Sequence, residues 1–166
     1  MVQEMKIGVL SDTHIRARVD GERLAERLLS GPFSQVDMIL HAGDHVISDL
    51  DSCFEGIPYF GICGNMDKLS DQLPLRRVVR AGGKKIGMVH GWGPPEGIEK
   101  RVFDSFVAED IDALVFGHSH LPFCRSVGSV LLINPGSPTD RRAAPFHSVG
   151  ILYVADRISG EIICID

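Results

Sequence analysis

The sequence predicts an α/β protein built of mixed sheets with helices outside them, and three observations carry that reading. Short runs rich in Val and Ile recur along the chain, each bounded by Gly, Pro or Asp. Two amphipathic stretches stand between such runs in the first two-thirds. The last third holds consecutive strand-like runs with no helix between them.

In chain order, "KIGVL" reads as the first strand. "DGERLAERLLSGP" reads as a helix capped by Asp20, with Leu24 and Leu28 on one face and Gly31 and Pro32 ending it. "VDMIL" and "YFGIC" follow as strands, and "RRVVRAGGKKIGMV" as a hairpin whose "AGGKK" supplies the positive φ angles a tight turn needs. "PPEGIEKRVFDSFVAED" is the second helix, with Ile98, Val102 and Phe106 spaced by four and Phe103 and Val107 alongside. "IDALVF" and "VLLI" are further strands, and "SVGILYVADRISGEIICID" closes the chain as a hairpin. No repeat, low-complexity tract or linker divides the sequence, so residues 1–166 are read as one domain, of a size that buries about 70% of its unfolded surface.

Composition narrows the function classes. A net charge of −5 gives no broad cationic field, which argues against general nucleic-acid binding. No apolar run reaches the ~20 residues of a membrane span, and the start "MVQEMKIGVLSD" is too charged for a signal peptide; a cytoplasmic protein without a membrane partner is expected. Cys53, Cys63, Cys124 and Cys164 lie far apart, with no C-x-x-C pair, and read as reduced, mostly buried thiols.

The chemistry gathers at five places, "VLSDTH", "ILHAGD", "GICGNMD", "GMVHG" and "LVFGHSH", where an apolar run ends in acidic, amide or imidazole side chains. Loops leaving the carboxyl ends of strands meet on one edge of an α/β sheet, so these motifs can converge. If the backbone stays extended, Asp12 with His14, and His118 with His120, point to the same side as two pincers. Asp12, His14, Asp44, Asn65, His90, His118 and His120 offer more donors than one metal needs, which suggests two divalent ions. A metal pair ~3.5 to 4 Å apart suits in-line displacement at phosphorus. Two such ions against two carboxylates leave about +2 for an anionic ester.

"SDTH", "HAGD", "GNMD", "HG", "GHSH" and "NPGS", in that order over nearly the whole chain, resemble the calcineurin-like metallophosphoesterases, and most of all their small YfcE-like phosphodiesterase branch. The resemblance implies a four-layer αββα sandwich. It implies that Asp12, His14, Asp44 and His120 hold one ion and that Asp44, Asn65, His90 and His118 hold the other, with Asp44 bridging. A water or hydroxide shared by the metals then attacks a small phosphate ester, Asp44, Asn65 and His90 serving the catalysis. The donor set suits Mn, Fe, Ni or Zn, and family habit favours manganese.

One position departs from the pattern. Many monoesterases of this superfamily carry "GNH", with a histidine that assists the leaving group, and YfcE-like members more often carry cysteine; here Met66 stands there and can donate no proton. General acid help is typically worth about 10² to 10⁴-fold, so activated or diester substrates are expected over alkyl monoesters. Two alternatives stand beside the diesterase: a non-catalytic scaffold resembling the retromer subunit of the same architecture, and a monoesterase or nucleotide pyrophosphatase. Dimers are frequent among relatives, and no segment here argues for one.

Outside the ligand pattern, His41, His45 and His147 read as packing residues. Arg141 could reach the far side of a phosphate, with Arg142, Arg16 and Arg18 as weaker choices. Asp67 either orients a ligand or closes the turn after Asn65. Gly136 and Ser137 shape a loop beside the site, and Trp92 either covers a substrate face or packs locally.

Overall fold

The computed structural model describes residues 3–166. One five-stranded sheet runs in the order β10 (Ile158–Cys164), β9 (Ser148–Val154), β1 (Met5–Leu10), β2 (Met38–His41), β3 (Tyr59–Gly61). The other runs β4 (Arg76–Ala81), β5 (Lys84–Val89), β6 (Ala113–Val115), β8 (Val130–Asn134), β7 (Phe123–Val127). Each sheet is parallel at its centre, β1–β2–β3 and β5–β6–β8, and antiparallel at its hairpins.

Side-chain alternation assigns the layers. Ile7, Val9, Leu40, Val115, Ile133 and Leu152 are buried between the two sheets. The residues between them in sequence point outward: Ile39 and Ile151 pack with Leu24 and Leu28 of helix α1 (Arg18–Leu29), and Leu114 and Leu132 pack with Ile98 and Val102 of helix α2 (Ile98–Asp104). This period of two, read on both faces, gives the αββα order of layers.

Several local expectations are corrected. Helix α1 starts at Arg18 with Ala17 as its N-cap, so Asp20 lies in the first turn, where its charge favours the positive end of the helix instead of capping it. Helix α2 ends at Asp104; Ile98, Val102 and Phe106 are buried as their spacing requires, but Val107 is exposed beyond the helix end. Strand β7 and a 3₁₀ segment over Leu50–Phe54 are not apparent in the sequence. All four cysteines are free, with Cys63 buried and Cys164 exposed. Among the described residues no helix is long and apolar enough to cross a membrane.

Candidate metal centre

The parallel strands of both sheets end at one edge, and pairing continues past those ends. Beyond β1 and β2 the backbone N–H groups of Asp12, His14 and Ile15 donate to the carbonyls of Gly43, Asp44 and His45, each at 2.9 Å. This brings Asp12 and Asp44 side by side. Gly64 follows β3 so closely that a Cβ there would lie 2.2 Å from Asp44 Oδ1. Gly117, after β6, would meet Ser11 Oγ at 1.8 Å; its N–H donates to His90 O across the sheet junction. Only glycine fits either position.

The side chains converge. Asp44 Oδ2 lies 3.5 Å from both His14 Nε2 and His90 Nε2. Asp12 Oδ1 lies 3.4 Å from His120 Nε2, 3.8 Å from His90 Nε2 and 4.0 Å from His14 Nε2. Asn65 Oδ1 lies 3.0 Å from His90 Nε2 and 3.3 Å from His118 Nδ1, so it joins His118 to the cluster. All seven sequence-predicted donors therefore gather at one place.

The imidazoles are oriented from outside. His90 Nδ1 donates to Ala42 O at 2.6 Å and His120 Nδ1 to Asp140 O, which leaves each Nε2 facing the carboxylates. His118 is turned the other way: Nε2 donates to Gly93 O at 3.1 Å and Nδ1 faces Asn65. Arg101 holds that loop by donating to the carbonyls of Trp92, Pro94 and Glu96. Burial pulls His90 down, but its hydrogen bond to Asp44 and the charges of Asp12 and Asp44 outweigh that and hold the ring above its ordinary pKa. Burial would lift Asp44; the His90 bond and charge instead keep it below the usual carboxylate range. His118 is lowered by burial and by the neighbouring charge of His90.

A brace of hydrogen bonds fixes the loops. Asp67 accepts from the N–H groups of Asp44, Val46 and Gly64 at 2.8, 2.8 and 2.9 Å and from His45 Nδ1 at 3.2 Å, so it both orients Asp44 and closes its own turn. Burial opposes its charge, but these bonds win and depress its pKa strongly. His41 is packed as expected: Gly43 N–H donates to its Nδ1, Nε2 meets Thr13 Oγ1 at 2.9 Å, and burial lowers its pKa well below the ordinary value. Ser137 Oγ donates to Asp12 O at 2.8 Å and Thr139 Oγ1 to Thr13 O at 2.7 Å. Asn134, which sequence reasoning did not single out, bonds Gly117 O and Ser119 Oγ through Nδ2 and takes Gly136 N–H on Oδ1. Its signal was a buried-strand asparagine immediately before Pro-Gly.

Two expectations fail locally. The pincers do not arise from extended backbone: Asp12, His14, His118 and His120 all have positive φ, between 45 and 69°. Each loop reverses at once to keep its N–H bonds, and His118 and His120 diverge to different partners. Arg141 is directed away, donating from Nη1 to Ala144 O at 2.8 Å. Arg142, at φ 46°, instead lines a hollow with His118, Gly93 and Ser119. Met66 and Trp92 are about half exposed, and Met66 offers the cluster only its N–H, donated to Asp44 Oδ1 at 2.9 Å. His147 lies apart, paired with Asp166.

The donor set fits a divalent cation. Two groups, Asp12 with His14 and His120, and Asp12 with Asp44 and His90, each bring their ligand atoms within 4.8 Å of one another. Asp12 Oδ1 is buried with no protein hydrogen-bond partner, as a metal-binding oxygen would be. Comparison with known proteins agrees. The chain is 34% identical to a probable metallophosphoesterase of Methanocaldococcus jannaschii, covering 98% of this chain and 82% of that protein. Among solved structures, an archaeal phosphodiesterase superposes with a TM-score of 0.72 at 22% identity, covering 97% of this chain and 100% of the other. Wild-type Vps29 of Entamoeba histolytica, complexed with zinc, does so with a TM-score of 0.67 at 21% identity, covering 98% and 100%. The calcineurin-like phosphoesterase superfamily domain matches residues 5–157, and the chain belongs to that superfamily.

Proposed function

We propose that this chain is a metal-dependent phosphodiesterase acting on a small phosphate ester, with two divalent ions, manganese by preference. The observation that carries the reading is the convergence of two buried carboxylates and three imidazole Nε2 atoms within 3.4 to 4.0 Å, with Asn65 and His118 alongside. Asp12, His14, Asp44 and His120 hold one ion, and Asp44, Asn65, His90 and His118 the other. Asp44 is the bridging ligand in this reading, its Oδ2 lying equally near His14 and His90. When bound, the ions neutralise the phosphoryl oxygens and lower the pKa of an attacking water. The chain's own part is to hold the donors rigid: Ala42 and Asp140 carbonyls fix two imidazoles, Gly93 fixes a third, and Asp67 fixes Asp44. No proton donor stands at Met66, so the leaving group must depart without that help, which favours activated leaving groups such as a nitrophenoxide, and diesters over alkyl monoesters.

The test is hydrolysis of bis(4-nitrophenyl) phosphate beside 4-nitrophenyl phosphate, with manganese and with chelator. Manganese-dependent turnover of the diester above the monoester is expected, and Asp44→Asn should cost at least about 10²-fold. Full activity in that variant excludes the bridging role. A wild-type protein that binds metal without turning over either ester points to the second reading, a scaffold, which the likeness to Vps29 and the missing proton donor favour.

A further inference from the structure

A hollow of about 250 Å³ abuts the metal centre at His118, with Gly93, Pro95, Ser119, Leu121 and Arg142 around it. No carboxylate lines it, whereas the hollows beside Tyr59, Met66 and His14 are lined by Asp51 and Asp71, by Asp67, and by Asp20 and Asp140. Its polar side chains present donors. His118 Nε2 is spent on Gly93 O, which fixes that wall. Asn134 Oδ1 takes Gly136 N–H, so the amide is oriented with Nδ2 toward Ser119. Ser119 Oγ accepts from Asn134 Nδ2 at 3.0 Å and from Leu121 N–H at 3.2 Å, which occupies both its lone pairs. The hydroxyl proton has no protein acceptor among the described residues, although Ser119 is only 8% exposed.

Arg142 lines the same space. It pairs loosely with Asp140, whose Oδ2 lies 3.5 Å from Nε, and among the described residues its guanidinium makes no hydrogen bond to the protein. Arg141 beside it is spent on Ala144 O. Arg142 also holds φ at 46°, a conformation that glycine would adopt without strain. An unspent guanidinium and a free hydroxyl proton in a hollow without a carboxylate suit an oxyanion. Of the lining residues only His118 offers a metal-binding atom, so an anion held here lies beside the ions and not on them. We propose that this hollow is a subsite for an anionic group, a phosphate or carboxylate carried on an ester arm of the substrate, bound by Arg142 and by the Ser119 hydroxyl. The assignment rests on the phosphodiesterase reading and gives it a substrate class, diesters with a charged arm.

The experiment compares thymidine 5′-(4-nitrophenyl) phosphate with its 3′-phosphorylated form, two diesters with the same leaving group that differ by one phosphate. With manganese, kcat/KM for the 3′-phosphorylated ester should exceed that for the plain ester about tenfold in the wild type, and Arg142→Gln should bring the two within about twofold. Arg142→Lys, which keeps the charge but not the fork, should retain part of the preference. A defect passed to His120 through Asp140 would lower both rates and leave the ratio as it was. No preference in the wild type, or a preference that survives in Arg142→Gln, overturns the proposal. Phosphorus NMR line broadening of inorganic phosphate, in chelator, reads the hollow without turnover: broadening by the wild type that is lost in Arg142→Gln supports the site, and none by the wild type overturns it. Broadening lost beside an unchanged ester ratio means that free phosphate binds there, and overturns the assignment to a substrate arm. Absence of all hydrolysis with broadening retained counts against the phosphodiesterase reading and leaves the anion site standing.

Discussion

Asp67→Asn tests how the metal-facing loops are held. The carboxylate is 2% exposed and accepts four hydrogen bonds, three on Oδ2 from Asp44 N, Gly64 N and His45 Nδ1, and one on Oδ1 from Val46 N. An amide has one acceptor oxygen, and its least damaging orientation keeps that oxygen at the Oδ2 position. The NH₂ then faces Val46 N–H, leaving a buried donor against a donor at a cost of about 2–3 kcal/mol. The three remaining bonds lose their charge assistance, about 1 kcal/mol each. The sum, about 5 kcal/mol, belongs to the rare severe substitutions, and at about 2–4 °C per kcal/mol for a chain of this size it lowers Tm by about 10–20 °C. Thermal melts followed by circular dichroism in the presence of chelator isolate this effect from metal binding. A fall of less than about 3 °C would mean that the backbone holds Asp44 at φ 61° without Asp67, and the bracing argument would be wrong.

Three further outcomes follow from the same geometry. Manganese at about 100 times its Kd should raise wild-type stability by about 2.7 kcal/mol per site, and Asp12→Asn, which removes a carboxylate common to both clusters of donors, should cut that rise by at least half in a thermal-shift titration. Arg101→Ala frees three carbonyls of the Trp92–Glu96 loop and with them the Gly93 carbonyl that orients His118; kcat should fall about tenfold with little change in Tm, and a Tm loss without a kcat loss would make Arg101 merely structural. Burial raises the pKa of Tyr59 well above 10, so the unfolded chain releases its proton first and stability present below pH 10 is lost as pH rises beyond it. Tyr59→Phe should remove up to about 1.4 kcal/mol per pH unit of that alkaline slope, read by urea melts between pH 10 and 11.5.

The gathering of the seven donor side chains was legible because strand ends are legible: an apolar run that stops in Asp, Asn or His names both the element and its exit. Phe123–Val127 was not, because β7 is an edge strand whose Arg125, Ser126 and Val127 are exposed; it forms by backbone pairing with β8, which leaves no alternating pattern. Arg141 and Arg142 are adjacent, yet Arg141 bonds Ala144 O while Arg142 pairs with Asp140 and lines the hollow that His118 also lines, a division no spacing rule reports.

Backbone strain ties these cases together. Among the described residues seven non-glycine residues have positive φ, and five of them are Asp12, His14, Asp44, His118 and His120. At about 1–2 kcal/mol each, the five carry about 5–10 kcal/mol, comparable to the whole net stability of a domain. Such conformations persist only where the surroundings over-determine them. Here the surroundings are identifiable: paired loop backbones beyond β1 and β2, the Asp67 carboxylate, and the Ser137 and Thr139 hydroxyls. The two remaining residues lie beside them, since Val46 is bonded to Asp67 and Arg142 lines the same hollow as His118. Strain confined to the residues that offer metal-binding atoms, and to those beside them, is what a fold selected to hold ligands would show. A fold selected for packing alone would have relaxed it with glycine.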